Sequence, residues 1–203
     1  MSGSMDIFVR SALIDNMVFA YFLGMCSYLA VSKNVRTALG LGIAVCFVLA
    51  VTVPVNYLLD KYFLQAGALA WISPELSGLN LSFLSLILFI AVIAGIVQLL
   101  EMVIEKFTPA LYQALGIFLP LIAVNCAILG GSLFMQERHF PTVAHSFSYA
   151  LGSGIGWLLA IVAFAAIRER LRYSDIPKGL QGNGIAYIIT GLLGLGFMAF
   201  LGF

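Results

Sequence analysis

The sequence predicts an all-α integral membrane protein of about six transmembrane helices, arranged as two inverted three-helix repeats in which spans one and four are broken. Three observations predict it: the scarcity of charge, the length of the uncharged runs, and a recurrence of motifs between the two halves. Of 203 residues, 62% are hydrophobic and only 9% are charged, against about 25% charged in an ordinary soluble domain. The mean hydropathy is +1.07. A chain this poor in charge cannot cover itself with a solvated surface. Uncharged runs cover residues 16–32, 37–59, 76–100, 107–136, 146–167 and 179–203, and most exceed the roughly 20 residues that cross a hydrocarbon core as a helix. They are continuously apolar and do not alternate, so helices are favoured over barrel strands of about 10 residues.

Span one (16–32) is the shortest run, follows Asp15, and carries Phe22-Leu23-Gly24-Met25-Cys26. Span two (37–59) opens on Ala38-Leu39-Gly40-Leu41-Gly42-Ile43 and ends near Tyr57 and Tyr62, residues suited to an interface. Span three (76–100) is flanked at its end by Glu101 and Glu105, with Gln98 one turn earlier, so that all three share a face at helical spacing. Their oxygens either attract Na⁺ or are solvated at the interface and pair with Lys106. Asp15 and Asn16, at the other face of the membrane, carry the same two readings. Span four (107–136) contains Gly116, Pro120 and Gly130-Gly131 around Cys126. Proline removes an intrahelical hydrogen bond and clashes with the preceding turn, and broken helices persist at membrane depth where the freed backbone is buried in protein or lines a cavity. Span five (146–167) carries Gly152-Ser153-Gly154-Ile155-Gly156-Trp157. Lying inside an apolar span, and not between a strand and a helix, these glycines read as a stripe for close helix contact and not as a phosphate loop. Span six occupies 179–203.

Lys33 and Arg36 follow span one, Lys106 follows span three, and Arg168, Arg170, Arg172 and Lys178 follow span five, whereas only Arg10, Lys61 and Arg138 fall on the other side. The positive-inside tendency therefore puts both termini outside the cytoplasm. The segment Met1 to Asp6 lacks the basic region of a cleavable signal peptide, so insertion is expected to rely on the spans. A net charge of +1 without a basic, aromatic-interleaved patch excludes nucleic-acid binding. No Ser-His-Asp pattern for hydrolysis is detectable, and His139 and His145 lie in an outer connection with no metal-binding pattern around them.

Phe22 to Cys26 followed by Ala38 to Ile43 matches Ile122-Ala123-Val124-Asn125-Cys126 followed by Ala150-Leu151-Gly152-Ser153-Gly154-Ile155. Each half then ends in a third span. One membrane domain (1–203) thus divides into repeats 1–105 and 106–203, and three spans per repeat make the second copy enter from the opposite side, an arrangement that places a shared site near the midplane. Cys26 and Cys126 stand at matching places on the two irregular spans. By themselves they admit two readings: small hydrophobes in apolar helices, or half of the four thiolates that a [2Fe–2S] cluster requires. Cys46 has no counterpart, Leu158 standing at the aligned position, and is assigned to packing.

Several segments together resemble the E-type subunit of the bacterial sodium-translocating NADH:quinone oxidoreductases (Nqr), in the family that joins the D-type and E-type Nqr subunits with their counterparts in the Rnf complexes. The resemblance runs almost end to end. It rests on Phe22 to Cys26 with Leu29-Ala30-Val31-Ser32-Lys33, on Leu115-Gly116-Ile117-Phe118-Leu119-Pro120-Leu121-Ile122 leading to Val124-Asn125-Cys126-Ala127-Ile128, on Gly152 to Trp157, and on Ile167-Arg168-Glu169 with Tyr173-Ser174-Asp175. The Ala-Val-Ser-Lys and Gly-Trp sequences are closer to the E-type branch than to the D-type. The resemblance implies a multi-pass subunit of the bacterial inner membrane with periplasmic termini. It would pair with the homologous D-type subunit inside a six-subunit complex that passes electrons from NADH to ubiquinone while exporting Na⁺. It further implies that Cys26 and Cys126 are the two iron ligands this chain gives to an intramembrane [2Fe–2S] cluster shared with the D-type partner, with NADH and the flavins bound by other subunits. The remaining readings are a redox-silent inverted-repeat transporter and a structural anchor.

Overall fold

The computed structural model describes residues 3–64, 84–107 and 120–199. The described residues are helical and irregular, with no strand among them. Helix α1 (Ser4–Val9) continues as a π-helical turn, Arg10–Ile14. The chain then leaves helical geometry until α2 (Met25–Val31). Helix α3 (Val35–Leu59) passes through Pro54 and ends in a second π-helical turn, Asp60–Leu64. Next come α4 (Ser85–Phe107), the single turn α5 (Pro120–Ala123), α6 (Cys126–Glu137), α7 (Val143–Leu171) and α8 (Asn183–Met198).

Among the described residues, four helical stretches are long and apolar enough to cross a membrane: Val35–Leu64, Ser85–Phe107, Pro120–Glu137 and Val143–Leu171. The first expected span, 16–32, is broken: an irregular stretch leads into the short helix α2, with α1 and its π-turn preceding it, and α8 is a shorter apolar helix of 16 residues. Span four breaks where its cysteine lies: Pro120 opens the single turn α5, and α6 restarts at Cys126. Gly130 and Gly131, expected to add to that irregularity, instead sit inside continuous α6 and serve packing. A Cβ at Gly130 would lie 2.5 Å from Leu23 Cδ1, and one at Gly131 3.1 Å from Leu49 Cδ2. Gly116 and Trp71 lie outside the described residues, as does most of the connection after Tyr62.

The core is built on α3 and α7. Gly42 of α3 faces Leu158, and Gly154 of α7 faces Cys46; added Cβ atoms would come within 2.7 Å of Leu158 Cδ1 and 2.9 Å of Cys46 Cα. Removing a side chain at such positions lets backbones approach closely, which matters where lipid leaves van der Waals packing as a main source of helix association. Helix α1 and its π-turn lie along the first half of α7. There Gly152 meets Ser11 and the Phe8 carbonyl, and Gly156 meets the Ala12 carbonyl. The small-residue stripe read from the sequence is therefore a packing seam, and Cys46 packs as assigned. Around it are buried Tyr28, Leu41, Val45, Phe89, Ile161 and Phe164, with the Tyr28 and Phe164 rings stacked at 4.4 Å.

The two ends differ in charge. At one, the Arg168 guanidinium donates to the Leu29 carbonyl (2.9 Å) and Ser32 Oγ (2.8 Å), Arg172 donates to the Lys33 carbonyl (2.9 Å), and the Glu169 carboxylate accepts from the Val35 N–H (2.9 Å). The basic residues flanking spans one and five are thereby gathered on one side. Towards the other end, the Asp15 carboxylate bridges Arg10 Nε (3.3 Å) and Arg138 Nη2 (2.9 Å), while Tyr57 Oη donates to the Phe140 carbonyl (3.0 Å). Helix α4 buries Phe89, Ile93 and Val97 and leaves Ile87, Leu99, Met102 and Val103 outward. Glu101 continues its packed stripe and is half-buried, whereas Gln98 and Glu105 are exposed.

Candidate cofactor-ligating site

Breaking a helix at membrane depth frees backbone N–H and C=O groups that must find other partners. In the first broken span much of that work falls to Asn16, which is buried. Its Oδ1 accepts from the N–H of Val18 (2.9 Å) and Phe19 (3.4 Å), and its Nδ2 donates to the carbonyls of Ala12 (3.1 Å) and Gly156 (2.9 Å). The Leu23 N–H returns to the Met17 carbonyl (2.8 Å). Gly24 then takes a left-handed conformation, φ +79°, open to glycine at no steric cost, and α2 begins at Met25.

In the second broken span Asn125 plays the corresponding part. As N-cap of α6 it accepts from the Ala127 N–H through Oδ1 (3.0 Å), the standard use of an Asn side chain at that position. Its Nδ2 donates to Ser27 Oγ (3.1 Å), and Ser27 in turn donates to the Gly24 carbonyl (3.2 Å). The decisive contact is the reciprocal one: the Gly24 N–H donates to Cys126 Sγ at 2.8 Å. The two broken spans are thus bonded to each other around the second cysteine, at a residue two before Cys26.

The space is tight. A Cβ on Gly24 would stand 2.5 Å from Trp157 Nε1 and 2.9 Å from Asn125 Oδ1. Trp157 is fully buried and is the middle residue of the 29-residue α7, so the junction lies halfway along the longest helix of the bundle. Cys126 is the first residue of α6 and is half-buried; Cys26 is the second residue of α2 and is exposed. Phe22 and Val124, next to the two breaks, are 57% and 71% exposed.

Among the described residues no group of three or more His, Cys, Asp or Glu side chains could hold a metal ion. By donor chemistry the two thiols could supply half of the four sulfurs of a [2Fe–2S] cluster: Cys126 Sγ is held by the Gly24 N–H, and Cys26 is exposed. The sequence patterns do not mark Asn125 or Ser27 as functional, although an Asn directly before a helical run has the signature of a cap. Asn16 stands out there only as a neighbour of Asp15, and Trp157 only as an interfacial or packing residue.

Sequence comparison agrees with the resemblance described above. Residues 4–203 match the family model described as Rnf-Nqr subunit, membrane protein. The E-type subunit of the Na(+)-translocating NADH-quinone reductase of Maridesulfovibrio salexigens is 56% identical over 202 residues, covering 100% of this chain and 98% of the relative. The protein of the same name from Alcanivorax borkumensis is 56% identical over 199 residues, 98% of this chain and 96% of its own length. That of Azotobacter vinelandii is 56% identical over 204 residues, 100% and 98% respectively. With a match that runs from Ser4 to the last residue, and relatives matched along nearly their whole length, the chain belongs to the Rnf-Nqr family of membrane subunits.

Proposed function

We propose that this chain works as the E-type membrane subunit of a Na⁺-translocating NADH:quinone oxidoreductase, contributing Cys26 and Cys126 to a [2Fe–2S] cluster shared with the homologous D-type subunit. The single observation that carries the reading is the Gly24 N–H to Cys126 Sγ bond, because it unites the two broken spans at a sulfur. When bound, such a cluster supplies one-electron transfer at a potential set by its charge, its burial and the hydrogen bonds to its sulfurs. The protein's own contribution is to hold and tune those sulfurs. Gly24 donates to Cys126, Asn125 fixes the start of α6, and Ser27 ties Asn125 back to the Gly24 carbonyl. An N–H on a thiolate stabilises added negative charge and so favours the reduced state.

An inverted repeat, 1–105 against 106–203, is part of this reading and is supported by reciprocal packing. Under the alignment that pairs Gly42 with Gly154 and Cys46 with Leu158, the contact of Gly42 with Leu158 maps onto that of Gly154 with Cys46. The basic end supports a cytoplasmic side containing Lys33, Arg36, Arg168, Arg170 and Arg172, hence periplasmic termini in a bacterial inner membrane. Six crossings follow if the segment Ser4–Val31 and the segment around α8 each cross once. The remaining members of a six-subunit complex would bind NADH and flavins and deliver electrons towards ubiquinone.

The test is Cys26→Ser and Cys126→Ser, each in the complex purified with its partner subunit. Each variant is expected to remain in the membrane while losing the iron of this centre, its visible absorption and quinone-linked turnover. Full iron content in both variants contradicts the assignment and favours a redox-silent transporter or an anchor.

A further inference from the structure

A second polar feature crosses the apolar interior between α3 and α6, on the side of the junction away from the basic end. Two bonded pairs are stacked there. Asn56 Nδ2 donates to Ser132 Oγ at 2.8 Å, and Gln136 Nε2 donates to Asp60 Oδ1 at 2.9 Å. Asp60, which follows the last residue of α3, stands one helical turn beyond Asn56, as Gln136 stands beyond Ser132 on α6, so the pairs are separated by about 5–6 Å along the helices. Asn56 and Ser132 have no exposure, and Asp60 has 6%. The Ser132 hydroxyl spends its proton on the Ile128 carbonyl (3.3 Å). Asn56 Oδ1, by contrast, is buried with no hydrogen-bond partner. An amide oxygen with both lone pairs unused, deep in an apolar helix pair, calls for an electropositive ligand. Asp60 adds a carboxylate one turn away, and it opens the π-helical turn Asp60–Leu64, a distortion common at functional sites. Asp60 and Gln136 also line a cavity of about 230 Å³ with Tyr57, Lys61 and His139, which gives this level an opening.

We propose that Asn56, Ser132 and Asp60, with Gln136 holding the carboxylate, form a binding site for a partly dehydrated Na⁺ ion between α3 and α6. A hard cation takes oxygen ligands, and those present are an amide carbonyl, a hydroxyl and a carboxylate, the last also balancing the charge. Along α6 the ten residues from Cys126 to Gln136 span about 15 Å at 1.5 Å per residue, roughly half a hydrocarbon core. The site therefore connects the level of the cysteine junction with the cavity at the less basic end, where an exported ion would leave. This inference rests on the sodium-translocating part of the function proposed above, not on the cluster.

The test is Na⁺ titration of NADH:quinone turnover in the assembled complex, with choline chloride holding ionic strength constant, for Asn56→Leu and Asp60→Asn. Each is expected to raise the half-saturating Na⁺ concentration about tenfold, the scale of effect seen when support for a bound metal is weakened, while the visible absorption of the iron–sulfur centre is kept. Asp60→Asn leaves Gln136 an amide oxygen to bond, and so decides the case in which Asn56→Leu does not assemble. An unchanged Na⁺ dependence in whichever variants assemble overturns the site and leaves a bound water as the partner of Asn56 Oδ1. A shifted Na⁺ dependence in a complex that lacks this iron would defeat the cluster reading and leave the cation site standing.

Discussion

The two broken spans carry matching cysteines in unlike settings. Around Cys126 nearly everything is supplied by this chain: Asn125 caps α6, Gly24 donates to the sulfur, and the side chain is half-buried. Around Cys26 the chain supplies less: α2 has seven residues and no side-chain cap, the thiol is exposed, and the nearby Phe22 ring is largely outside the core. The backbone is also unusual there, Phe22 standing at φ +55° beside Gly24 at φ +79°. The difference points to a division of labour. One cysteine is held by its own fold, and the other is displayed on an exposed face.

Beyond the loss of iron expected for either Cys→Ser variant, the largest effect on stability should come from Gly24→Ala, where the two settings meet. It places a Cβ against Trp157 and Asn125 at a positive φ, costing about 1–3 kcal/mol in backbone strain and about 1–3 kcal/mol in overpacking. Thermal unfolding of the detergent-solubilised complex should show it, and an unshifted midpoint would mean that the junction is looser than described. Gly156→Ala should follow at about 1–3 kcal/mol, since its Cβ would stand 2.6 Å from the Ala12 carbonyl. Asn125→Ala removes a cap worth about 0.5–2 kcal/mol, and with it the bond to Ser27. Its sharper signature should be a change in the midpoint potential of the centre, with no such change for Gly156→Ala. Phe22→Gly should be nearly neutral for the fold, within about 1 kcal/mol, because the ring is exposed and the backbone angle suits glycine. It should nevertheless weaken retention of the partner subunit on purification, and equal retention would show that the Cys26 face is not an interface.

What could be read in advance follows from what hydropathy measures. Uncharged length pointed to the four described helices long enough to cross a membrane, and Gly152 to Gly156 announced a packing seam because small residues have few other uses in membrane helices. The matched cysteines were legible as a symmetry. Where each helix breaks was legible only in part, since an uncharged run has the same hydropathy whether its backbone bonds to itself or not. Pro120 marked the fourth span, but its glycine pair Gly130-Gly131 proved helical. In the first span the break depends on Asn16 finding the Gly156 carbonyl 140 residues away. The Asp15–Arg138 pair and the Gly24–Cys126 bond are likewise long-range contacts, visible only once α6 and α7 are folded against α1. A polar residue in an apolar run signals that a partner exists without saying which one.

Iron-edge anomalous scattering from the assembled complex tests the central claim most directly. The expected result is an iron peak within thiolate bonding distance of the sulfurs of both Cys26 and Cys126, with the remaining ligands coming from the partner chain. Iron bound elsewhere in the membrane part, with both sulfurs free, would contradict it.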